Sequence, residues 1–164
     1  MYSYEKTLLS CFKCMEDVIG QMERVFTDAA VGSHTCLSPC EVIAEKLMKM
    51  TERKINLIDV RNKVVKAFNR LDDEKRKFIS YKYFGRKDKE IDEIKNTRDY
   101  FRKNNSALKA FSKILQAMGF TEENFLNSCE KYRFIMRVYE DFKEREATRN
   151  KLPSRYYKIV KSGV

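Results

Sequence analysis

Only two prolines and five glycines are available to interrupt the 164 residues of this chain. Tight turns and strand connections draw heavily on these two residue types, so their scarcity disfavours a many-turned β protein. Hydrophobic residues make up 43% of the chain and charged residues 35%, which is enough for a real core at about the length of one domain. The sequence therefore predicts an all-α protein, a helical bundle.

Two long helices are predicted in the first 70 residues, joined by a loop over 30–37. The first covers 3–29 and carries a heptad stripe of Leu8, Phe12, Met15, Ile19, Met22 and Phe26. The second begins at Ser38 as N-cap, with Pro39 and Glu41 completing the start signal, and runs to about residue 70. Its apolar stripe is interrupted by Lys54 and Arg61. We expect segment 1–70 to form a helical hairpin.

Four more helices are predicted, three in segment 71–119 and one in segment 120–164. They cover 72–84, closed by Gly85; 87–94; 97–117, closed by Gly119; and 121–149, with Thr121 as N-cap. In the helix over 97–117 the side chains predicted to face inward are Phe101, Leu108, Phe111 and Leu115. The basic tail that follows, with Tyr156 and Tyr157 between its charges, either binds nucleic acid or is only a flexible end.

Positive charge is concentrated in the middle of the chain. The net charge is +10, and residues 73–119 hold 13 basic against 7 acidic side chains. Such an excess suits a polyanionic partner, because Lys and Arg that neutralise phosphates release condensed counterions. The alternative is a solvated, lysine-rich surface.

Part of the middle segment has a recognisable pattern. It opens with Leu71-Asp72-Asp73-Glu74-Lys75-Arg76, continues with Phe78-Ile79-x-Tyr81-x-Tyr83-Phe84-Gly85, and later has Thr97-Arg98-x-Tyr100-Phe101-Arg102 and Ala107-Leu108. This pattern resembles sigma-70 region 4, and more specifically small phage and mobile-element regulators of Gram-positive bacteria. The spacing between its two last helices is about two residues shorter than is usual in that group.

The resemblance implies a helix-turn-helix unit in 71–119, whose helix over 97–117 enters the major groove. It implies sequence-specific binding of duplex DNA, as a transcription regulator or sigma-like factor, and a contact with RNA polymerase.

The residue types of this segment favour DNA contact independently of the resemblance. Arg can bind a guanine edge through two hydrogen bonds, Asn can do the same for adenine, and Lys or Thr can hold phosphates. We predict base contacts from Arg98 and Arg102 and backbone contacts from Lys87, Lys89, Lys95 and Lys103. The predicted interface is completed by Asn96, Thr97, Asn105 and Lys109. The alternative is a basic, solvent-facing surface over unrelated packing.

Other chemistry in the sequence is weak. The doublet Cys11-x-x-Cys14, with His34, Cys36 and Cys40 further on, superficially resembles a zinc-ligand set, but it has no glycine-containing knuckle. Buried or idle thiols are the favoured interpretation, with no metal and no cofactor. The single histidine has no identifiable serine partner, and no Gly-rich phosphate loop is present, so we expect no enzyme. The aromatic residues Tyr81, Tyr83, Phe84, Tyr100 and Phe101 are expected in the core rather than on a base-stacking platform.

Location and partners follow from what the sequence does not contain. It has neither a long uncharged apolar run nor the layout of a signal peptide at its start, and its five cysteines are an odd number. We expect a cytoplasmic protein with reduced thiols and no membrane partner. The rival to DNA binding is a helical interaction module, in which the first or last helix forms a homodimer or captures a protein and the charge is incidental.

Overall fold

The computed structural model of the protein describes residues 2–32 and 40–151, in which seven α-helices and no strand are found. The helices are α1 Ser3–Gly32, α2 Cys40–Asn69, α3 Asp73–Phe84, α4 Lys89–Ile94, α5 Arg98–Ala117, α6 Glu122–Cys129 and α7 Arg133–Lys151. The all-α prediction is confirmed. The predicted Ser38-Pro39 cap, the candidate ligands His34 and Cys36, and most of the basic tail lie outside the described residues.

The first two helices form the predicted hairpin. Arg61 Nη2 lies 2.8 Å from Glu16 Oε1, and Lys54 Nζ lies 2.8 Å from Glu23 Oε1, so α1 and α2 run antiparallel. The two basic residues that interrupt the apolar stripe of α2 therefore pair with acids of α1. Each such partly exposed pair contributes only about 0.2–1 kcal/mol, so the hairpin depends mainly on its apolar contacts.

One hydrophobic core joins all seven helices. Its fully buried members include Leu8 and Met15 of α1, Phe111 of α5, Phe125 of α6 and Ile135 of α7. The last helix packs along the first, where Ser3 Oγ and Lys6 Nζ lie 2.6 and 2.7 Å from the carboxylate of Glu146. The described parts of segments 1–70, 71–119 and 120–164 thus share one core. No helix within the described ranges is long and apolar enough to cross a membrane.

Local signals set the ends of α3. Asp72 is its N-cap and accepts a hydrogen bond from the backbone N–H of Lys75, 2.9 Å away. Gly85 ends the helix in the left-handed conformation, with a φ of 66°, which a side chain with a Cβ adopts at a cost. Both boundaries agree with the sequence prediction.

The single helix predicted over 121–149 is wrong. Two helices, α6 and α7, occupy this stretch, and Glu130, Lys131 and Tyr132 separate them. The separating residues include neither Gly nor Pro. We attribute the break between α6 and α7 to tertiary packing, because Tyr132 is buried and its hydroxyl donates a hydrogen bond to the backbone oxygen of Arg53 in α2. The break brings Tyr139 of α7 against Phe125 of α6, with ring centroids 5.2 Å apart.

A buried carboxylate lies where α1 meets α5. Glu5 is fully buried; its Oε1 accepts a hydrogen bond from Ser112, and its Oε2 has no hydrogen-bond partner among the described residues. Burial raises the pKa of Glu5, and the Ser112 hydrogen bond only partly offsets that shift. The carboxyl group of Glu5 therefore stabilises the fold in its protonated form. This stabilisation is fully present below the unfolded-state pKa, near 4.5, and it is lost as the pH rises through the higher folded-state pKa.

We therefore expect Glu5→Gln to raise the free energy of unfolding at neutral and higher pH, by on the order of 1 kcal/mol, because it removes a buried charge. The gain should shrink as pH falls towards 4.5. Urea unfolding across this pH range measures it, with Glu52→Gln on the exposed surface as the matched control. Equal or lower stability of Glu5→Gln at every pH contradicts this account of the buried carboxylate.

Candidate nucleic-acid interface

Helices α3, α4 and α5 form a unit packed through aromatic rings. Tyr100 of α5 is 8% exposed, and its ring centroid lies 6.0 Å from that of Phe78 and 6.2 Å from that of Tyr81, both on α3. Tyr81 also donates a hydrogen bond of 2.6 Å to Asp92 of α4, which raises the pKa of Tyr81 to about 12. Ile91 of the short α4 is buried in the hydrophobic core. The position of α5 is thus set by its neighbours on two sides.

The connection between α4 and α5 is short. Helix α4 ends at Ile94 and α5 begins at Arg98, so three residues, 95–97, join them. Thr97 fixes the connection: its Oγ1 donates to the backbone oxygen of Ile94 at 2.7 Å and accepts from the backbone N–H of Tyr100 at 3.3 Å. The Thr97 side chain therefore caps α5, and both of its hydrogen bonds lie within the protein.

A row of polar side chains on α5 is exposed. Arg98, Arg102, Asn105 and Lys109 follow one another at steps of four, three and four residues and so form a row, which we call the basic face. The opposite side of the helix is buried through Ala107, Phe111 and Leu115, among others. Over its whole length α5 contains five basic side chains and only one acidic side chain, Asp99. The fold thus aligns four of the predicted interface residues on one exposed surface.

Asp99 and Glu74 engage two of the predicted cations. Arg102 Nη2 lies 2.5 Å from Asp99 Oδ1, and Lys103 Nζ lies 3.0 Å from Glu74 of α3 and 3.7 Å from Asp99. The hydrogen bond to Glu74 raises the pKa of Lys103, whose ammonium group also lies 5.8 Å from the centroid of the Phe78 ring. Lys103 is therefore turned to the side of the basic face, where it links α5 to α3.

The remaining predicted residues lie at the start and end of α4. The helix begins two residues later than predicted, because Asp88 is its N-cap and accepts from the backbone N–H of Ile91 at 3.3 Å. Lys87 therefore precedes the helix, Lys89 is its first residue, and both are exposed. Lys95 lies 3.8 Å from Asp92, and Asn96 is exposed in the connection.

The predicted inward position of Phe101 is wrong. Its side chain is 56% exposed, and the neighbouring Tyr100 takes the buried position instead. The other three predicted side chains, Leu108, Phe111 and Leu115, are buried, and the buried side of α5 starts at Tyr100 and continues through Asn104. Tyr81, Tyr83 and Phe84 are partly buried against the core, so only Phe101 departs from the expected aromatic packing.

A cavity of about 530 Å³ lies between α2, α3 and the loop before α4. Four of its lining side chains are basic and two are acidic: Arg76, Lys77, Arg86 and Lys87, with Asp73 and Asp88. Both acids are already engaged, since Asp73 pairs with Arg76 and Asp88 caps α4. The buried Nε of Arg76 has no hydrogen-bond partner among the described residues. We call this cavity the α3–α4 pocket.

Sequence reasoning missed three basic residues of the α3–α4 pocket, Arg76, Lys77 and Arg86. They belong to two runs, Lys75-Arg76-Lys77 and Arg86-Lys87, that flank the aromatic stretch of α3. The density of charge was visible in the sequence. The sequence does not show that the two runs line the same cavity, because their positions depend on the turn at Gly85.

The described cysteines are divided between the interior and the surface. Cys11 and Cys129 are buried, whereas Cys14 and Cys40 are exposed. Burial raises the pKa of Cys11 and of Cys129 to about 12, which holds both groups as thiols at neutral pH. Within the described part of the chain, no three His, Cys, Asp or Glu residues are grouped as metal ligands would be.

A scan against protein-family models and searches of curated proteins and of solved structures found no match to this chain.

Proposed function

We propose that this protein binds duplex DNA with sequence preference, as a cytoplasmic transcription regulator or sigma-like factor, and that α4, residues 95–97 and α5 act as its helix-turn-helix. Two features support the proposal. The three-residue connection is within the range of helix-turn-helix motifs in general, although it is short for the sigma-70 region 4 group, and the helix after it carries the basic face. Helix α5 is 20 residues long, or about 30 Å, which is more than enough to reach into a major groove.

The observation that carries the proposal is the composition of the basic face. Arg98 and Arg102 offer the paired donors that match the O6 and N7 atoms of guanine, and Asn105 offers the donor and acceptor that match adenine. Lys109 adds a cation further along the same row. All four side chains are exposed, and among the described residues only Arg102 of the four forms an ion pair. The exposed pair with Asp99 is weak enough to exchange for a base edge or a phosphate.

The α3–α4 pocket is proposed as the anchor for the DNA backbone. Arg76 pairs with Asp73, and Lys77 Nζ lies 4.0 Å from Glu90 Oε2. Arg86 and Lys87 form no ion pair among the described residues, and Lys87 extends the charge to the start of α4. Phosphate contacts of this kind fix the position of a protein on the duplex without choosing a sequence. In this proposal, the pocket increases the affinity for any duplex, and the basic face determines the sequence preference.

The pocket's role gives a direct expectation. Replacing Arg86 and Lys87 together by alanine should weaken binding to every duplex by a similar factor. The slope of log affinity against log salt should become shallower by about 0.9 for each phosphate that the variant no longer neutralises. Fluorescence anisotropy at several salt concentrations measures both effects.

The control for this pair is Lys46→Ala with Lys49→Ala on α2, which removes the same formal charge from a distant exposed site. An identical change in both double variants contradicts a specific anchor, because it assigns the effect to net charge alone.

A helical interaction module is the second candidate function. Six large apolar side chains of the hairpin are exposed, Val25, Phe26 and Val31 on α1 and Val42, Met48 and Ile55 on α2. They favour association with another protein or with a second copy. Sedimentation velocity and a salt titration separate the two functions: an interaction module oligomerises and shows no salt-dependent duplex binding, whereas a DNA-binding protein shows steep salt dependence.

A further inference from the structure

Phe101 is the exposed large apolar side chain that lies away from the hairpin. Among the described residues, every other large hydrophobic side chain of comparable exposure is on α1 or α2, whereas Phe101, 56% exposed, is near the start of α5. Full burial of a phenylalanine side chain stabilises a fold by about 1.5–3 kcal/mol, and the exposed ring of Phe101 does not contribute most of that free energy. The ring is therefore available for a contact made outside the folded chain.

The ring of Phe101 packs against a buried aromatic side chain, Tyr100. It packs edge-on against Tyr100, with ring centroids 5.5 Å apart, and Tyr100 is itself buried against Phe78 and Tyr81 of α3. The backbone N–H of Phe101 donates to the oxygen of Thr97, 3.4 Å away, within the capped first turn. The exposed ring thus lies beside a buried aromatic cluster, at the start of the helix that carries the basic face.

The neighbours of the ring indicate what covers it. Arg98 lies three residues before Phe101, Arg102 follows it, and Asn105 lies four residues after it; all three are exposed. A ring among guanidinium groups is poorly suited to an apolar protein surface, because covering it would bury those charges. It suits a polyanion that presents an apolar group between its phosphates. In the major groove that group is the C5-methyl of thymine.

We propose that Phe101 reads thymine by packing its ring against the C5-methyl group; the proposal rests on the proposed DNA-binding function. Asn105 lies one helical turn further along the same side of α5, a rise of about 6 Å, which is less than two base-pair steps. Adenine suits its amide. Phe101 and Asn105 together therefore specify neighbouring A·T pairs, beside the guanine contacts of Arg98 and Arg102.

The test replaces thymine by uracil, which lacks only the methyl group. The duplex recovered from a random library by the wild-type full-length chain is remade with single dT-to-dU substitutions, and affinities are measured for wild type, Phe101→Ala and Ile55→Ala. Ile55 is the matched control, because it is 59% exposed and lies on α2. We expect one position at which uracil weakens wild-type and Ile55→Ala binding roughly fourfold, the value of one buried methyl group. Phe101→Ala should bind the two duplexes equally.

The other possible results reject either the role of Phe101 alone or both that role and DNA binding. If a duplex is recovered but no uracil substitution affects the wild type, or if Phe101→Ala remains sensitive to uracil, the role of Phe101 is rejected while DNA binding stands. If no sequence is enriched, both the role of Phe101 and the proposed function are rejected. Circular dichroism of Phe101→Ala is the control that checks whether its helices are intact.

Discussion

Replacing Arg98 and Arg102 together with alanine is expected to remove most of the preference of this protein for its target duplex over unrelated duplexes. Each bidentate contact to a base is worth about 1–3 kcal/mol of discrimination, so the loss should be at least roughly 30-fold. Both side chains are exposed, and the only ion pair removed among the described residues is the surface pair with Asp99. The free energy of unfolding should therefore change by less than about 0.5 kcal/mol. Competition binding against a fixed unrelated duplex measures the preference.

Helix α7 offers a closely matched control. Arg133 and Arg137 are also exposed and also four residues apart, so Arg133→Ala with Arg137→Ala removes the same charge from the same kind of helical surface. This control should lose a little affinity for every duplex and keep its preference. If it loses as much preference as the α5 double variant, the basic face does not read bases.

Phe111→Ala is expected to have the largest effect on stability. The side chain is fully buried in the core that joins all seven helices, and truncating such a phenylalanine costs about 3–5 kcal/mol, because apolar packing is removed and a cavity is left behind. That is a large fraction of the total stability of a typical domain, about 5–15 kcal/mol. Chemical denaturation followed by circular dichroism measures the decrease.

The same helix provides the comparison for Phe111. Phe101→Ala removes the same atoms from an exposed position and should change the free energy of unfolding by less than about 0.5 kcal/mol. Together the two variants test the orientation of α5. Similar decreases from both would place Phe101 inside, as the sequence pattern predicted, and would turn the basic face away from solvent.

The parts of the fold that the sequence predicts are those set by local chemistry. Asp72 and Gly85 bound α3 because an N-cap carboxylate and a left-handed glycine act on their own backbone, whatever the rest of the chain does. The stripe of α1 likewise predicts the buried or half-buried side chains from Leu8 to Met22, since a helix repeats its face within its own sequence, but it fails at Phe26, which is 38% exposed. Four members of the predicted interface form one exposed row for the same reason.

The parts that the sequence does not predict depend on contacts between distant segments. The break after Cys129 needs Tyr132 to reach Arg53, 79 residues earlier, and no glycine or proline marks it. Adjacent Tyr100 and Phe101 are equally plausible core residues until the aromatic side chains of α3 select Tyr100. The ion pair of Lys103 with Glu74 of α3, 3.0 Å away, likewise joins residues that are far apart in the sequence.

Selection of duplexes from a random library by the wild-type chain tests the central claim most directly, because it measures binding and sequence choice together. We expect enrichment of a short motif that combines guanine with neighbouring A·T pairs, and loss of that enrichment when Arg98→Ala and Arg102→Ala are combined. Recovery of a pool with no sequence preference, or of the same motif by this double variant, would contradict the claim that α5 reads DNA.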